Sequence, residues 1–217
     1  MSLEDKLSKI RAAAKDDALL EAAYQDLLSR LDRAETGARA LKPGDTIPAF
    51  LLPNAESRLV ASDDLLARGC LVINFFRGSW CPYCRQTLKA LEAALPEIEA
   101  AGGQLVALTP DTGHHLADTK RGQRLSYEVL SDVDGAVGLQ FGVLFRAPAA
   151  YREVLAGYGI DLAERHGNDA SFIPLPATYV VDRAGVVRYA FVDIDFTRRA
   201  EPSAVVAALK QIHTDST

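Results

Sequence analysis

Apolar residues recur at helical spacing through the first part of the chain. Leu3, Leu7 and Ile10 form one run; after the polar KDD stretch, Leu20, Ala23, Tyr24, Leu27, Leu28 and Leu31 form another. This period predicts a helical hairpin or a bent helix over residues 1–38. Ser2 and Asp5 have the spacing of a capping box at its start. The apolar stripe needs a partner, either the body of the same chain or a second copy in a homodimer.

From residue 41 the texture changes. LKPGDTIPAFLLPNAESRLV is broken by prolines and Gly44 into loops and short strands. LVINFF (71–76) is a continuous apolar run, the pattern of a strand buried on both faces at the centre of a parallel sheet. From Pro82 the period turns helical, with Leu88, Leu91, Leu95 and Ile98 on one face, a kink expected at Pro96 and an end at Gly102 and Gly103. QLVALTP (104–110) reads as a strand, HHLADTKRG as a short helix, YEVLSD as a strand and GAVGLQFGV as a short helix and turn. Residues 147–170 read as an insertion with an amphipathic segment. ATYVVD and VVRYAFVD are strands joined by a tight turn at Asp182 to Gly185, and Pro202 starts a last helix.

The order β-α-β-α-β, insertion, β-β, α implies a parallel core with an antiparallel hairpin at one edge. The expected architecture is a thioredoxin-like α/β fold, a mixed central sheet with helices on both faces. It divides into a helical extension (1–38) and a main domain (39–217) that carries the insertion.

Composition excludes several functions. The net charge is −5 over 217 residues and no Lys/Arg cluster stands out, which argues against a nucleic-acid partner. No apolar run approaches the roughly 20 residues that cross a bilayer. The opening MSLEDKLSKIRAAAKDD has no apolar leader pattern and too many acidic residues for a transit peptide, so the expected compartment is the cytoplasm. Three cysteines are too few for a disulfide-stapled scaffold. Cys70 opens an apolar run and reads as a buried, inert thiol.

Cys81 and Cys84 differ. They follow a strand and open a helix, where free N–H groups and the helix dipole favour a thiolate. Spacing i, i+3 in a first helical turn puts both sulfurs on one face. Pro82 suits the first helical position. Arg77, four residues earlier, adds positive charge. A metal clip needs two further ligands, and His114 and His115, expected to face solvent, are far along the chain. The pair therefore reads as redox-active.

FFRGSWCPYCRQTL resembles the active-site segment of peroxiredoxins of the alkyl hydroperoxide reductase/thiol-specific antioxidant (AhpC/TSA) family, in the branch with a Trp-Cys-Pro-Tyr-Cys motif. LKPGDTIPAFLLPNAESRLV, VLSDVDGAVGLQFGV and ATYVVDRAGVVRYAFVD resemble other parts of that family, so the likeness runs over about residues 41–195. The resemblance implies a cysteine-dependent peroxidase acting on hydrogen peroxide or an organic hydroperoxide. A thioredoxin- or glutaredoxin-like dithiol would recycle it, and neither metal nor organic cofactor is implied. Laying the family's Pro-x-x-x-Thr-x-x-Cys on this chain makes Cys84 peroxidatic and Cys81 resolving. The threonine position then falls on Cys81 and the proline position on Arg77, while Pro176 stands where the family's later arginine is usual.

The motif also resembles that of thioredoxins, with Trp80 and Cys81 as the tryptophan and nucleophile. Pro176 is then expected to be cis, and Thr178 to present its hydroxyl near the sulfurs. Position ahead of the helix and expected exposure make Cys81 the sulfur a partner would attack. Arg77, Trp80, Pro176 and Thr178 are the expected substrate-contacting residues, Trp80 as a packing and docking surface. The alternative activity is thiol-disulfide exchange with protein disulfides; a third reading is a non-catalytic binding protein.

Overall fold

The structure is a computed structural model that describes residues 1–215, with side chains described through Ile212. It begins with α1 (Leu3–Lys15) and α2 (Ala18–Arg33). Ser2 and Asp5 close the capping box reciprocally, and the Asp17 carboxylate caps α2 by accepting from the Leu19 and Leu20 N–H groups. The hairpin β1 (Leu51–Pro53) and β2 (Leu59–Ala61) follows, then α3 (Ser62–Arg68), β3 (Cys70–Phe75) and α4 (Pro82–Ala100). Next come β4 (Gly103–Thr109), α5 (Gly113–Gln123), β5 (Glu128–Ser131), α6 (Ala136–Gln140), β6 (Leu144–Arg146), α7 (Ala149–Gly157), α8 (Leu162–His166) and β7 (Phe172–Pro174). The chain finishes with β8 (Ala177–Val181), β9 (Val187–Val192) and α9 (Pro202–Asp215).

The central sheet has the order β5-β4-β3-β8-β9. Strand β3 runs parallel to β4, β4 parallel to β5, and β8 and β9 complete the sheet antiparallel. This is the expected thioredoxin-like arrangement. All six residues of β3 are buried. Their alternation feeds two cores: Leu71, Ile73 and Phe75 enter one apolar cluster, Cys70 and Val72 the other. Helix α4 covers the second through Leu88, Leu91 and Ile98, and it continues through Pro96 for a further turn. Cys70 is buried among these residues, as expected.

The stripe of the N-terminal helices finds its partners inside the chain. Leu3 and Leu7 join the cluster under α4, whereas Leu27 and Leu31 join the cluster on the other side. Burying four leucines contributes roughly 1.5–3 kcal/mol each. Glu201, just before α9, accepts from the backbone N–H groups of Leu3 (3.2 Å) and Glu4 (2.7 Å), which pins the start of α1. The insertion is likewise anchored: its flanks pair as the ribbon β6-β7, closed by Ala147 N–H to the Ser171 carbonyl at 2.9 Å.

Candidate active site

The link from β3 to α4 is a tight loop. Gly78 has φ +136°, a region closed to most side chains, and a Cβ there would lie 2.4 Å from Trp80 Nε1. Cys81 N–H bonds to the Gly78 carbonyl at 3.2 Å and Cys81 becomes the N-cap of α4. Pro82 takes the first helical position and Cys84 the third. All three cysteines are free thiols. Both motif sulfurs are buried, with Cys81 1% and Cys84 0% exposed. The expected exposure of Cys81 is therefore corrected: α4 docks its first turn into the core, and both thiols become part of the cluster it covers.

Burial alone pushes a thiol upward. For Cys84 that effect is outweighed by the neighbouring Cys81 thiol, by the charges of Arg199 and Arg77, and by the Arg77 backbone N–H, so its pKa falls to about 5. Arg199 Nη2 donates to Cys84 Sγ at 3.4 Å. Cys81 moves the opposite way. Burial raises it first, and sharing a proton with an ionised Cys84 raises it further. Of the two sulfurs, Cys84 is the one at which the thiolate is favoured.

Arg77 is 1% exposed, so it is no surface residue with a free head. Its guanidinium bonds the Tyr151 hydroxyl and lies 4.2 Å from the Phe196 ring centroid, 4.7 Å from Trp80 and 5.4 Å from Tyr151. Its Nε–H is buried without a hydrogen-bond partner. Trp80 is half-buried and packs against both apolar clusters. Pro176 is buried at the start of β8, and its peptide bond is trans. The expected cis bond is corrected. An X–Pro bond defaults to trans, and Leu175 N–H, held by the Val143 carbonyl at 2.7 Å, leads the chain directly into β8. Thr178 faces Asn74 across the β3-β8 pair and donates to its side-chain oxygen at 3.2 Å. The hydroxyl is thus engaged within the sheet.

Several site residues gave no signal in the sequence. Arg199 lies in the segment before α9, Tyr151 in α7 and Phe196 after β9. Asp111, at the end of β4, is fully buried and binds Arg165 from α8 through Nε (3.0 Å) and Nη2 (2.6 Å). Arg165 also donates to Ser79 Oγ at 3.0 Å, so the insertion clamps the loop that carries Cys81. His114 is exposed as expected, but His115 is largely covered and bonds Glu164 at 2.7 Å. Among the described residues these two histidines and Glu164 make the one cluster able to hold a metal ion, and it contains neither cysteine.

Similarity to known proteins agrees with this geometry. The profile of the AhpC/TSA family matches residues 43–190. A Mycobacterium tuberculosis protein is 28% identical over 153 residues, 70% of this chain and 85% of that protein. The peroxiredoxin Bcp of Escherichia coli K12 is 30% identical over 103 residues, covering 48% of this chain and 65% of its own. In fold, the chain is similar to the crystal structure of peroxidoxin BcpB from Mycobacterium tuberculosis, with a TM-score of 0.63 and 22% identity over 79% of this chain and 98% of that one.

Proposed function

The chain belongs to the AhpC/TSA family, and on that premise we propose how it works as a cysteine-based peroxidase. Cys84 is the peroxidatic residue and Cys81 the resolving one. The observation that carries this assignment is the pair of guanidinium groups at Cys84, Arg199 in contact and Arg77 close behind, which favour the thiolate there.

The Cys84 thiolate attacks one peroxide oxygen. The O–O bond breaks, the leaving alkoxide or hydroxide takes up a proton, and Cys84 becomes a sulfenic acid. Cys81 sulfur then attacks that sulfur; the S–S bond forms and water leaves with the sulfenic oxygen. Two thiols of an external donor restore the pair by exchange. We assign the donor to the thioredoxin- or glutaredoxin-like dithiols, because an i, i+3 disulfide is reopened most simply by a second dithiol. Arg77 and Trp80 contact the peroxide. Pro176 and Thr178 shape the neighbouring end of the sheet. Residues 39–217 form the catalytic unit, to which 1–38 and 147–170 are additions. No helix among the described residues is long and apolar enough to cross a membrane; the cytoplasm, where thiols stay reduced, is the compartment that suits this chemistry.

One observation favours a second assignment. Cys81, and not Cys84, lines the cavity beside the pair. If Cys81 met peroxide first, the roles would exchange. Trapping the sulfenic acid decides between them. With Cys81→Ser, one peroxide equivalent should leave a trapped sulfenic acid on Cys84; with Cys84→Ser, peroxide should survive and Cys81 stay unlabelled. A label on Cys81 in the second variant would reverse the assignment, and peroxide loss unaffected by either substitution would end the peroxidase reading.

A further inference from the structure

His114 and His115 stand in the first turn of α5, and Glu164 stands in the short α8 of the insertion, 49 residues after His115. Two sets of contacts bring them together. Thr112, just ahead of α5, donates its N–H (2.9 Å) and its hydroxyl (3.2 Å) to the Arg165 carbonyl. Asp161 caps α8 by accepting from the Ala163 and Glu164 N–H groups at 2.9 and 3.2 Å, which fixes the backbone of Glu164. The start of α5 and the Glu164 carboxylate therefore meet at the joint between the main body and the insertion.

The side chains converge there at the distances of a ligand set. His115 Nε2 lies 2.8 Å from Glu164 Oε1 and 2.7 Å from Oε2, and His114 Nε2 lies 3.8 Å from Glu164 Oε1. The two imidazole rings have their centroids 4.0 Å apart. Consecutive helical residues project about 100° apart, so helix geometry alone does not aim two neighbouring rings at one carboxylate. One nitrogen from each histidine and one carboxylate oxygen all lie within 4.8 Å of one another. Bonds of about 2.0–2.2 Å place two ligands of one zinc ion roughly 3–4 Å apart. The remaining gap is closed by the side chains that are free to turn. His114 is 67% and Glu164 53% exposed, whereas His115, at 17%, is the fixed ligand.

We propose that His114, His115 and Glu164 bind a divalent transition ion of the zinc class, and that this ion ties the insertion to the main body. Two imidazoles and one carboxylate suit zinc and its neighbours, whereas magnesium and calcium prefer all-oxygen sets. On binding, the ion takes the place of the proton between His115 Nε2 and Glu164, which leaves to solvent, and water completes the open side of the ion. The tie has a mechanical consequence. Glu164 adjoins Arg165, whose guanidinium holds Asp111 and Ser79 Oγ. An ion on Glu164 therefore restrains α8 and, with it, the clamp on the loop that carries Cys81. The ligand set includes neither motif sulfur, and the inference stands apart from the peroxidase reading.

The test uses the full-length, tag-free, reduced protein with zinc as the probe, near pH 7.5, where an ordinary imidazole is mostly neutral. Calorimetric titration should show one zinc per chain at about micromolar affinity. Loss of even an outer-shell partner costs a metal site about 10–100-fold, so His114→Ala and His115→Gln should each weaken binding at least about tenfold. Glu164→Gln, at an exposed side chain, should do the same and keeps the test valid if His115→Gln folds poorly. Saturating zinc should raise the melting midpoint of the wild type and leave that of Glu164→Gln unmoved, because an ion bound only to the folded chain stabilises it. Cobalt in place of zinc should give visible d–d bands without sulfur-to-metal charge transfer. Absence of stoichiometric zinc binding, or an affinity unmoved by these substitutions, overturns the site. A sulfur charge-transfer band at the first equivalent of cobalt also overturns it, since the ion would then sit on the cysteines. None of these outcomes bears on the peroxidase reading, which stands or falls on peroxide consumption.

Discussion

Replacing Arg199 by glutamine removes the cation that donates to Cys84 Sγ at 3.4 Å. Two unit charges at about that distance attract by roughly 5 kcal/mol at an effective dielectric of 20, an upper bound. The net worth of a hydrogen bond to a charged group is smaller, about 1.5–3 kcal/mol. At 1.36 kcal/mol per pKa unit this is a rise of about 1–2 units for Cys84, starting from about 5. The sign is fixed, because losing a cation disfavours the thiolate. At pH 5.5 the ionised fraction should fall from roughly three-quarters to roughly one-tenth. Reaction with hydroperoxide should drop about five- to tenfold there and recover towards wild type at pH 8, where Cys84 is ionised in both proteins. Thiolate absorbance near 240 nm, followed against pH in the reduced protein, measures the shift directly, and Arg199→Lys should restore part of it. An unmoved titration midpoint would refute the reasoning. So would a rate loss equal at every pH, since that is the mark of a disturbed loop rather than of a missing charge.

Other consequences can be read from the same geometry. Arg165→Met should leave the buried Asp111 carboxylate without its ion-pair partner and destabilise the fold by about 3–5 kcal/mol, seen as a lower midpoint in urea; an unchanged midpoint would deny the clamp. Gly78→Ala meets both a positive φ and Trp80 Nε1 at 2.4 Å, so a loss of about 1–3 kcal/mol and an altered Trp80 emission spectrum are expected; a wild-type spectrum and melt would contradict this. His166 is held neutral, its pKa lowered to about 4 by burial, with Asp111 opposing and Arg165 and His115 adding to the effect. Between pH 6.5 and 4 the unfolded chain therefore binds a proton that the folded one refuses. Stability present above pH 6.5 should be lost as the pH falls, by about 3 kcal/mol at most. Urea melts at pH 7 and 4.5 check this: His166→Gln should lose about 2 kcal/mol less than wild type across that interval, and equal losses would rule it out.

The main fold was legible because its signals are local. The unbroken apolar run at 71–76, the proline at the start of α4, and the Asp182–Gly185 turn depend on neighbours in the chain. The same holds for the two reactive cysteines, whose spacing and strand-helix setting carry their chemistry. The ribbon β6-β7 was missed because strands of three residues have too little periodicity to stand out. Exposure of Cys81 and the geometry of Pro176 were misjudged because burial and peptide isomer follow from packing, to which a motif is blind.

The amino-acid pattern by itself determined the layered α/β architecture, the family and the pair of sulfurs. Only the tertiary structure decided what surrounds them. Arg199 lies 115 residues from Cys84, Tyr151 lies 74 from Arg77, and Arg165 lies 54 from Asp111. A thiolate's field, a buried guanidinium's aromatic cage and the lining of the cavity beside Cys81 are sums over atoms brought together across the sheet. Periodicity reports which face of an element is apolar; it does not report which distant cation the folded chain will lay against a sulfur.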